Sequence, residues 1–261
     1  MVPRRGVTSN NIVLAVLLVS VSVSFALVSA AMHPTGAALQ DDVEDIVVVT
    51  EFLDNEKYVR LFSEPPYTIN VIGHWDAKEI LTVKVAQSDI ENFGQMKGMV
   101  KSLLTGDQKS ANDSRITENE YERWNDLLSS EINGTKLPTL SYSASGQEPD
   151  IRIRLTDDPH VNGRIRAETM LDLDGKQIRS AEIIIYNSDQ LYQDGEFIAV
   201  LQHELGHAIG LGHSNYVGSI MYPSLVIIND EIVGEISECE AEGVKLAYST
   251  VIDKVECTTL A

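Results

Sequence analysis

The sequence has little cysteine and little positive charge. Only two of its 261 residues are cysteines, Cys239 and Cys257, which excludes a disulfide-rich scaffold and a zinc site built on cysteines. Its 20 Lys and Arg residues are outnumbered by 39 Asp and Glu residues, so the formal net charge is −19. Proteins that bind nucleic acid carry basic patches that neutralise phosphate. The charge therefore argues against nucleic acid as a partner.

What is present indicates a folded protein. The hydrophobic fraction is 43% and the length suits one domain with appendages, which we expect to be a monomer. Shifts in composition divide the chain into four parts. These are a leader (residues 1–33), an acidic spacer or pro-segment (34–66), a main domain (67–250) and a C-terminal tail (251–261).

The leader predicts the compartment. Arg4 and Arg5 precede an uncharged apolar run over residues 12–32, and small residues near its end place a cleavage site near Ala30 or Ala31. This pattern is typical of a cleaved secretory signal, but the run is also long enough to span a bilayer as an uncleaved anchor. In both cases the main domain is expected outside the cytoplasm, either secreted or anchored to the membrane by residues 12–32.

The main domain mixes strand and helix patterns. We expect strands over 80–86, 139–145 and 150–155, and a hairpin over 164–187 that turns at Asp174–Gly175 with type I′ geometry. An alternative for Asp172–Gly175 is the start of a calcium loop, but the later ligands of such a loop are missing, so calcium has no further support. Helices are predicted after capping boxes at Ser88–Glu91, Thr117–Glu120 and Ser237–Glu240, and from Phe197 to Gly210.

Three of the six histidines lie in the segment HELGHAIGLGH, residues 203–213. On a helix, residues four positions apart lie on the same face, so His203 and His207 can bind one metal ion. Glu204 flanks that face and can reach a metal-bound water as a base. A continuous helix would carry His213 about 15 Å from His203. Gly210 can stop the helix in a left-handed conformation and return His213 to the metal.

The segment resembles the HExxHxxGxxH motif of the metzincin zinc endopeptidases. SIMYPS, residues 219–224, is similar to their Met-turn, with Met221 beneath the metal. Ser214 after the third histidine and Tyr222–Pro223 after the methionine resemble the matrixins, or matrix metalloproteases. The resemblance covers about residues 75–248 and implies an α+β fold with a twisted five-stranded mixed sheet, a long active-site helix and a small C-terminal subdomain.

The resemblance also implies a function. It implies one catalytic zinc ion bound by His203, His207 and His213, Glu204 as the general base, and a protein or peptide substrate. Tyr222 and Pro223 would wall the pocket for the residue after the cleaved bond. An edge strand within residues 165–173 would pair with the extended substrate.

Departures from the family pattern are as informative as the matches. The closing helix has Cys239–Glu240 where matrixins have two acids, so only Glu240 could support the Met-turn. No cysteine precedes residue 239, which excludes the cysteine-switch propeptide. Outside the leader and the motif only His74 and His160 remain, so a second, structural zinc site is not expected.

Several alternatives stay open at this stage. A catalytically inactive binding module on this fold usually lacks the Glu or a ligand, and all are present here. A thermolysin-like peptidase would take a distant Glu as its third ligand, and a metal-storage protein needs more ligands. Outside the cytoplasm Cys239 and Cys257 are expected to form a disulfide, the alternative being two free thiols. Asn112 and Asn133 stand in glycosylation sequons, with or without glycans.

Overall fold

The computed structural model describes residues 40–42, 45–49, 66–76, 78–106, 124–129, 137–144, 146–160, 164–228, 231–249 and 252–257. All of them belong to one compact unit, residues 36–261. The leader, the second capping box and both glycosylation sequons lie outside the described residues. No helix among the described residues is long and apolar enough to cross a membrane.

The described residues form five helices and thirteen strands. The helices are α1 (Phe93–Thr105), α2 (Trp124–Leu128), α3 (Ser188–Asp194), α4 (Phe197–Ala208) and α5 (Glu238–Ser249). The strands are β1 (Gln40–Asp42), β2 (Asp45–Val49), β3 (Tyr67–Val71), β4 (His74–Trp75), β5 (Ile80–Val85), β6 (Thr139–Tyr142), β7 (Ile151–Leu155), β8 (Ala167–Asp174), β9 (Gln177–Ile185), β10 (Leu211–Ser214), β11 (Ser224–Ile228), β12 (Glu231–Val233) and β13 (Lys254–Cys257).

The largest sheet is mixed. Its strand order is β1-β8-β9-β7-β5-β6, with β4 also paired to β9. Strands β6, β5, β7 and β9 run parallel to one another, whereas β8 is antiparallel to β9. The α+β fold predicted from the resemblance is confirmed, and β5 to β9 form its five-stranded sheet. Two short strands, β1 and β4, extend that sheet.

Two smaller three-stranded sheets complete the fold. Their orders are β10-β3-β13 and β12-β11-β2. Strand β13 belongs to the part of the chain that we separated as a tail, and it pairs antiparallel with β3 along four residues. Strands β1 and β2 both belong to the part that we separated as a spacer or pro-segment. Each of them pairs with a strand of the main domain.

Helix α1 begins differently from the prediction. The capping box expected at Ser88–Glu91 is wrong, because the helix starts at Phe93 and no side chain of its own N-cap residue, Asn92, caps it. Instead the carboxylate of Asp189 accepts hydrogen bonds from the backbone N–H groups of Glu91 and Asn92, at 3.1 and 3.0 Å. A residue almost one hundred positions later therefore satisfies donors at this helix start, which no local pattern reveals.

The hairpin between β8 and β9 exists, but its turn lies one residue later than predicted. Asp174 pairs with Gln177, so the two loop residues are Gly175 and Lys176. Of these only Gly175 has a positive φ, +63°. A type I′ turn needs positive φ at both central residues, so the predicted turn type is wrong.

Helix α5 begins as the third capping box predicts. Ser237 Oγ accepts a hydrogen bond from the Cys239 N–H, and Glu240 Oε2 accepts one from the Ser237 N–H at 2.8 Å. This reciprocal arrangement satisfies two donors at the helix start. The structure also joins Cys239 to Cys257 through a disulfide, which ties the first turn of α5 to the end of β13.

Candidate metal centre

Helix α4 positions the first part of the site. Every one of its residues is buried, so it runs through the interior. Two tryptophans hold its backbone: Trp124 Nε1 donates to the carbonyl of Gln202, and Trp75 Nε1 donates to the carbonyl of Ala208, both at 2.8 Å. Because both tryptophans are also buried, this helix is anchored near its middle and at its end.

Gly210 turns the chain after the helix. Its φ is +110°, and a Cβ added there would lie 2.9 Å from the carbonyl carbon of Gly73 and closer still to that carbonyl oxygen. The Gly210 carbonyl also accepts a hydrogen bond from the Ile72 N–H at 2.8 Å. A glycine is required here by conformation and by space. The chain then enters β10, which carries His213 back toward the helix.

The three motif histidines meet. The Nε2 atoms of His203 and His207 are 3.0 Å apart, and the His213 ring centroid lies 5.4 and 5.0 Å from theirs. One nitrogen from each ring lies within 4.8 Å of the others, and no other group of three or more His, Cys, Asp or Glu in the described part of the chain could hold a metal ion. Three imidazoles in this arrangement match the donor set of a catalytic zinc site.

Backbone carbonyls orient two of the rings. His203 Nδ1 lies 2.7 Å from the carbonyl oxygen of Ile220, and His207 Nδ1 lies 2.8 Å from that of Leu211. A carbonyl only accepts, so each Nδ1 carries the proton and each Nε2 keeps its lone pair for a ligand. Burial, reinforced by the neighbouring His207 and His213, lowers the pKa of His203 well below 6.5. The neutral imidazole that metal binding requires is therefore the favoured form.

Glu204 lies beside the histidines and is held by a strand of the sheet. Thr169 in β8 donates from Oγ1 to Glu204 Oε2 at 2.6 Å, and both side chains are buried. The same hydroxyl lies 3.2 Å from the Glu204 carbonyl oxygen. A buried carboxylate fixed by a charge-assisted hydrogen bond is preorganised as a proton acceptor.

Met221 packs directly under helix α4. It is fully buried, and a Cβ added to Gly206 would collide with its sulfur and approach Trp124 Cζ2 to 2.9 Å. The middle glycine of HELGH therefore allows the turn and the helix to come into contact. The Met221 carbonyl accepts from the Ser214 N–H at 2.8 Å, which joins the turn to the strand of His213.

Glu240 supports this turn through Ser219. Ser219 Oγ donates to Glu240 Oε1 and accepts a hydrogen bond from the Met221 N–H at 2.9 Å. Ser237 contributes both its N–H and its hydroxyl to the other carboxylate oxygen. Burial raises the pKa of Glu240 above 4.5, although these hydrogen bonds act in the opposite direction. Glu240, the single acid of the pair Cys239–Glu240, thus contacts the turn through Ser219, as the sequence predicts.

A narrow cavity of about 10 Å³ lies beside His203. Tyr222 is among its lining residues and Pro223 is not. The others come from helix α4, the turn and the strands that follow it: Ala199, Val200, His203, Ser219, Ile220, Ser224, Leu225 and Val233. A space of this size accommodates about one water molecule.

Sequence reasoning missed the residues that position the site from a distance. Thr169 and Trp75 carry no motif, and the only signal for Thr169 is its place on a predicted edge strand. Ser219 stands in the segment that resembles the Met-turn, but no role was predicted for it. His74 and His160, the histidines outside the motif, lie apart from the cluster. His74 packs on Tyr248 and His160 on Tyr186, with ring centroids 6.1 and 5.0 Å apart.

Comparisons with known proteins agree with this geometry. Residues 73–249 match the family described as Matrixin, Peptidase_M10, which is more than half of the chain. A 44-residue stretch is 46% identical to Matrilysin of Rattus norvegicus and covers 15% of this chain and 16% of that protein.

Two further relatives match over longer stretches. Interstitial collagenase of Sus scrofa is 33% identical over 57 residues, which are 22% of this chain and 12% of the collagenase. Metalloendoproteinase 2-MMP of Arabidopsis thaliana is 33% identical over 78 residues, which are 30% of this chain and 20% of that protein. The matched stretches therefore span 12 to 20% of the length of these curated relatives.

Proposed function

Because this chain belongs to the matrixin family, we propose that it is a zinc-dependent endopeptidase that hydrolyses peptide bonds in proteins or peptides. The observation that carries the proposal is the meeting of His203, His207 and His213 beside the buried carboxylate of Glu204. Three neutral nitrogen donors and one nearby base suit metal-assisted hydrolysis better than metal storage or structural zinc binding.

The three histidines fit the metal that the family implies. His203 and His207 present Nε2 because backbone carbonyls take up their Nδ1 protons. His213 contributes the third nitrogen from the adjoining strand. When bound there, zinc supplies a Lewis acid that polarises the substrate carbonyl and activates water.

Glu204 performs the proton transfer in this proposal. Its carboxylate accepts a proton from the attacking water and delivers it to the leaving nitrogen, so the broken peptide bond yields a carboxylate and an amine. Thr169 keeps one carboxylate oxygen, Oε2, in position, so the orientation of the proposed base is fixed. The close contact between Met221 and Gly206 fixes the turn against helix α4, which carries His203 and His207.

We also propose where the enzyme is located and how it binds its substrate. The leader supports a protein that is secreted or anchored outside the cytoplasm. Tyr222 and Pro223 wall the pocket for the residue after the cleaved bond in this proposal, which is supported by the place of Tyr222 in the lining of the cavity beside His203. We propose a single catalytic zinc ion and a monomeric enzyme.

Four single substitutions test the proposal. Glu204→Ala leaves the three imidazoles in place, so the protein should keep about one zinc per chain while its peptidase activity falls roughly 10²- to 10⁴-fold. His203→Ala, His207→Ala and His213→Ala should each lower zinc content and activity together. Zinc is measured by metal analysis after gel filtration, and activity with a quenched fluorescent peptide.

His213→Ala is the sharpest of these variants, because His213 reaches the metal only through the turn at Gly210. Full zinc affinity together with full turnover in His213→Ala would exclude the metzincin ligand set and favour a distant acidic ligand. Zinc binding by the wild-type protein without any cleavage of casein or of a peptide library would instead favour a catalytically inactive binding module.

A further inference from the structure

His213, the third histidine of the cluster, lies in a segment that is bonded to strand β3 at both ends. In the sheet of order β10-β3-β13, β3 is the middle strand and β10 carries His213. The Ile72 N–H, directly after β3, donates to the Gly210 carbonyl at 2.8 Å. At the other end the Asn215 N–H donates to the Thr68 carbonyl at 3.1 Å. The backbone is therefore fixed to β3 or its next residue on both sides of His213.

The other edge of β3 is covered by β13. The two strands pair antiparallel along four residues of each. The Val71 N–H extends this pairing, because it donates to the Asp253 carbonyl at 2.8 Å. Along a strand, successive N–H groups point to opposite sides. Alternate residues of β3 thus bond to the His213 segment and to β13, so a displacement of β13 would leave β3 attached along one edge.

The disulfide holds β13 in that position. It joins Cys257, at the end of β13, to Cys239 in the first turn of helix α5. Helix α5 itself packs on β3 and β10, since a Cβ added to Gly243 would lie 3.0 Å from side-chain carbons of both Ile69 and Leu211. The disulfide therefore connects the outer strand of this sheet to the helix that packs on its other two strands.

Both strands lie outside the part of the chain that matches the family. Strand β3 ends at Val71 and β13 begins at Lys254, whereas the match covers residues 73–249. Helix α4 and strand β10, which carry the three histidines, lie within it. The pairing of β10 with β3, and of β3 with β13, is therefore a feature of this chain that the family match does not describe.

We propose that the disulfide between Cys239 and Cys257, together with β13, positions His213 for metal binding. The inference rests on the proposed zinc site. His203 and His207 lie on helix α4, which two tryptophans of other elements anchor. Loss of the disulfide should therefore weaken mainly the contribution of the third ligand. Zinc affinity should fall about 10- to 100-fold, as it does when residues that orient metal ligands are replaced.

The test measures the zinc affinity of the full chain by competition with a chromophoric chelator. All proteins compared carry Glu204→Ala, so that none digests itself. Cys239→Ala with Cys257→Ala removes the disulfide and leaves no thiol to bind metal, and it should weaken zinc binding about 10- to 100-fold. The same pair of substitutions added to His213→Ala should change the affinity less than about 3-fold, because the ligand through which the disulfide acts is already gone.

A matched pair of proline variants tests β13 with the disulfide intact, and it decides the question if the disulfide-free protein does not fold. The carbonyl of Asp253 faces β3, so alternation directs the Val255 N–H toward β3 and the Glu256 N–H away from it. Val255→Pro removes a donor of the pairing, whereas Glu256→Pro removes one outside it. Val255→Pro should bind zinc at least about 10-fold more weakly than Glu256→Pro.

Equal zinc affinity with and without the disulfide would overturn the proposal, as would two thiols that are alkylated without reductant. An equal fold-loss in the presence and absence of His213 would also overturn it, since the disulfide would then act on the whole fold. Equal affinities of the two proline variants would do the same. Failure of the proposed function looks different, because then the wild-type chain neither binds zinc nor cleaves the quenched peptide.

Discussion

Thr169 donates a hydrogen bond from Oγ1 to Glu204 Oε2 across 2.6 Å in the protein interior. The two residues come from different elements, β8 and α4, and are 35 positions apart in the chain. This bond connects strand β8 of the main sheet to the proposed general base. It fixes the orientation of the carboxylate.

Removing that hydroxyl should impair turnover more than substrate binding. Thr169→Val keeps the size and branching of the side chain but loses the donor, and a hydrogen bond to a charged group is worth about 1.5–3 kcal/mol. We expect kcat to fall roughly 10- to 100-fold with little change in KM. Steady-state kinetics on a peptide substrate measure both constants, and metal analysis verifies that zinc content is unchanged.

Thr169→Ser is the matched control, because it retains the hydroxyl and removes only a methyl group. It should recover most of the kcat lost in Thr169→Val. If the serine variant were as slow as the valine variant, Thr169 would act through packing and not through its hydrogen bond to Glu204.

Gly206→Ala should destabilise the protein through the contact between helix α4 and Met221. The added Cβ would collide with the Met221 sulfur and crowd the ring of Trp124. Overpacking of this kind costs about 1–3 kcal/mol, which thermal or urea unfolding detects. Adding Met221→Ala to Gly206→Ala should restore part of the lost stability, since it removes the atom that collides. No recovery in the double variant would contradict the assigned contact.

Glu240 should make the free energy of unfolding depend measurably on pH. Burial raises its pKa above 4.5 in the folded protein, so its contribution to stability is complete below that value and is lost as the pH rises through the folded pKa. Glu240→Gln cannot ionise. The unfolding free energy of the wild type minus that of Glu240→Gln should therefore decrease as the pH rises above 4.5. A difference that grows over this range would mean that hydrogen bonds from Ser219 and Ser237 outweigh burial.

The cavity beside His203 should limit the size of the substrate side chain that follows the cleaved bond. Its volume of about 10 Å³ leaves little room, and Leu225 forms part of its lining. Leu225→Ala should shift preference toward larger apolar residues, with Leu225→Met as a control of nearly unchanged volume. Cleavage profiling with a peptide library compares the three proteins. Identical profiles for Leu225→Ala and the wild type would show that this cavity does not select the substrate.

The sequence by itself determined the features that depend on nearby residues. HELGHAIGLGH predicts three converging histidines because helix geometry fixes His203 against His207 and only a glycine can turn the chain at Gly210. The capping box at Ser237 and Glu240 was readable for the same reason, since both partners lie within one helical turn. The family resemblance then supplied the fold, which the match over residues 73–249 confirmed.

Only the tertiary structure decided the contacts between distant parts of the chain. Asp189 caps helix α1, and Thr169 bonds to Glu204. Ser219 forms hydrogen bonds with both Glu240 and the Met221 N–H, and so links the two. The strands at 40–42 and 45–49 fall in the part that we assigned to a spacer because acidic residues dominate its composition, although Ile46–Val49 favour a strand locally. A short strand gains its stability from the edge with which it pairs, and that edge is formed by residues more than one hundred positions away. Local patterns cannot report such a partner, since it exists only after the sheet has formed.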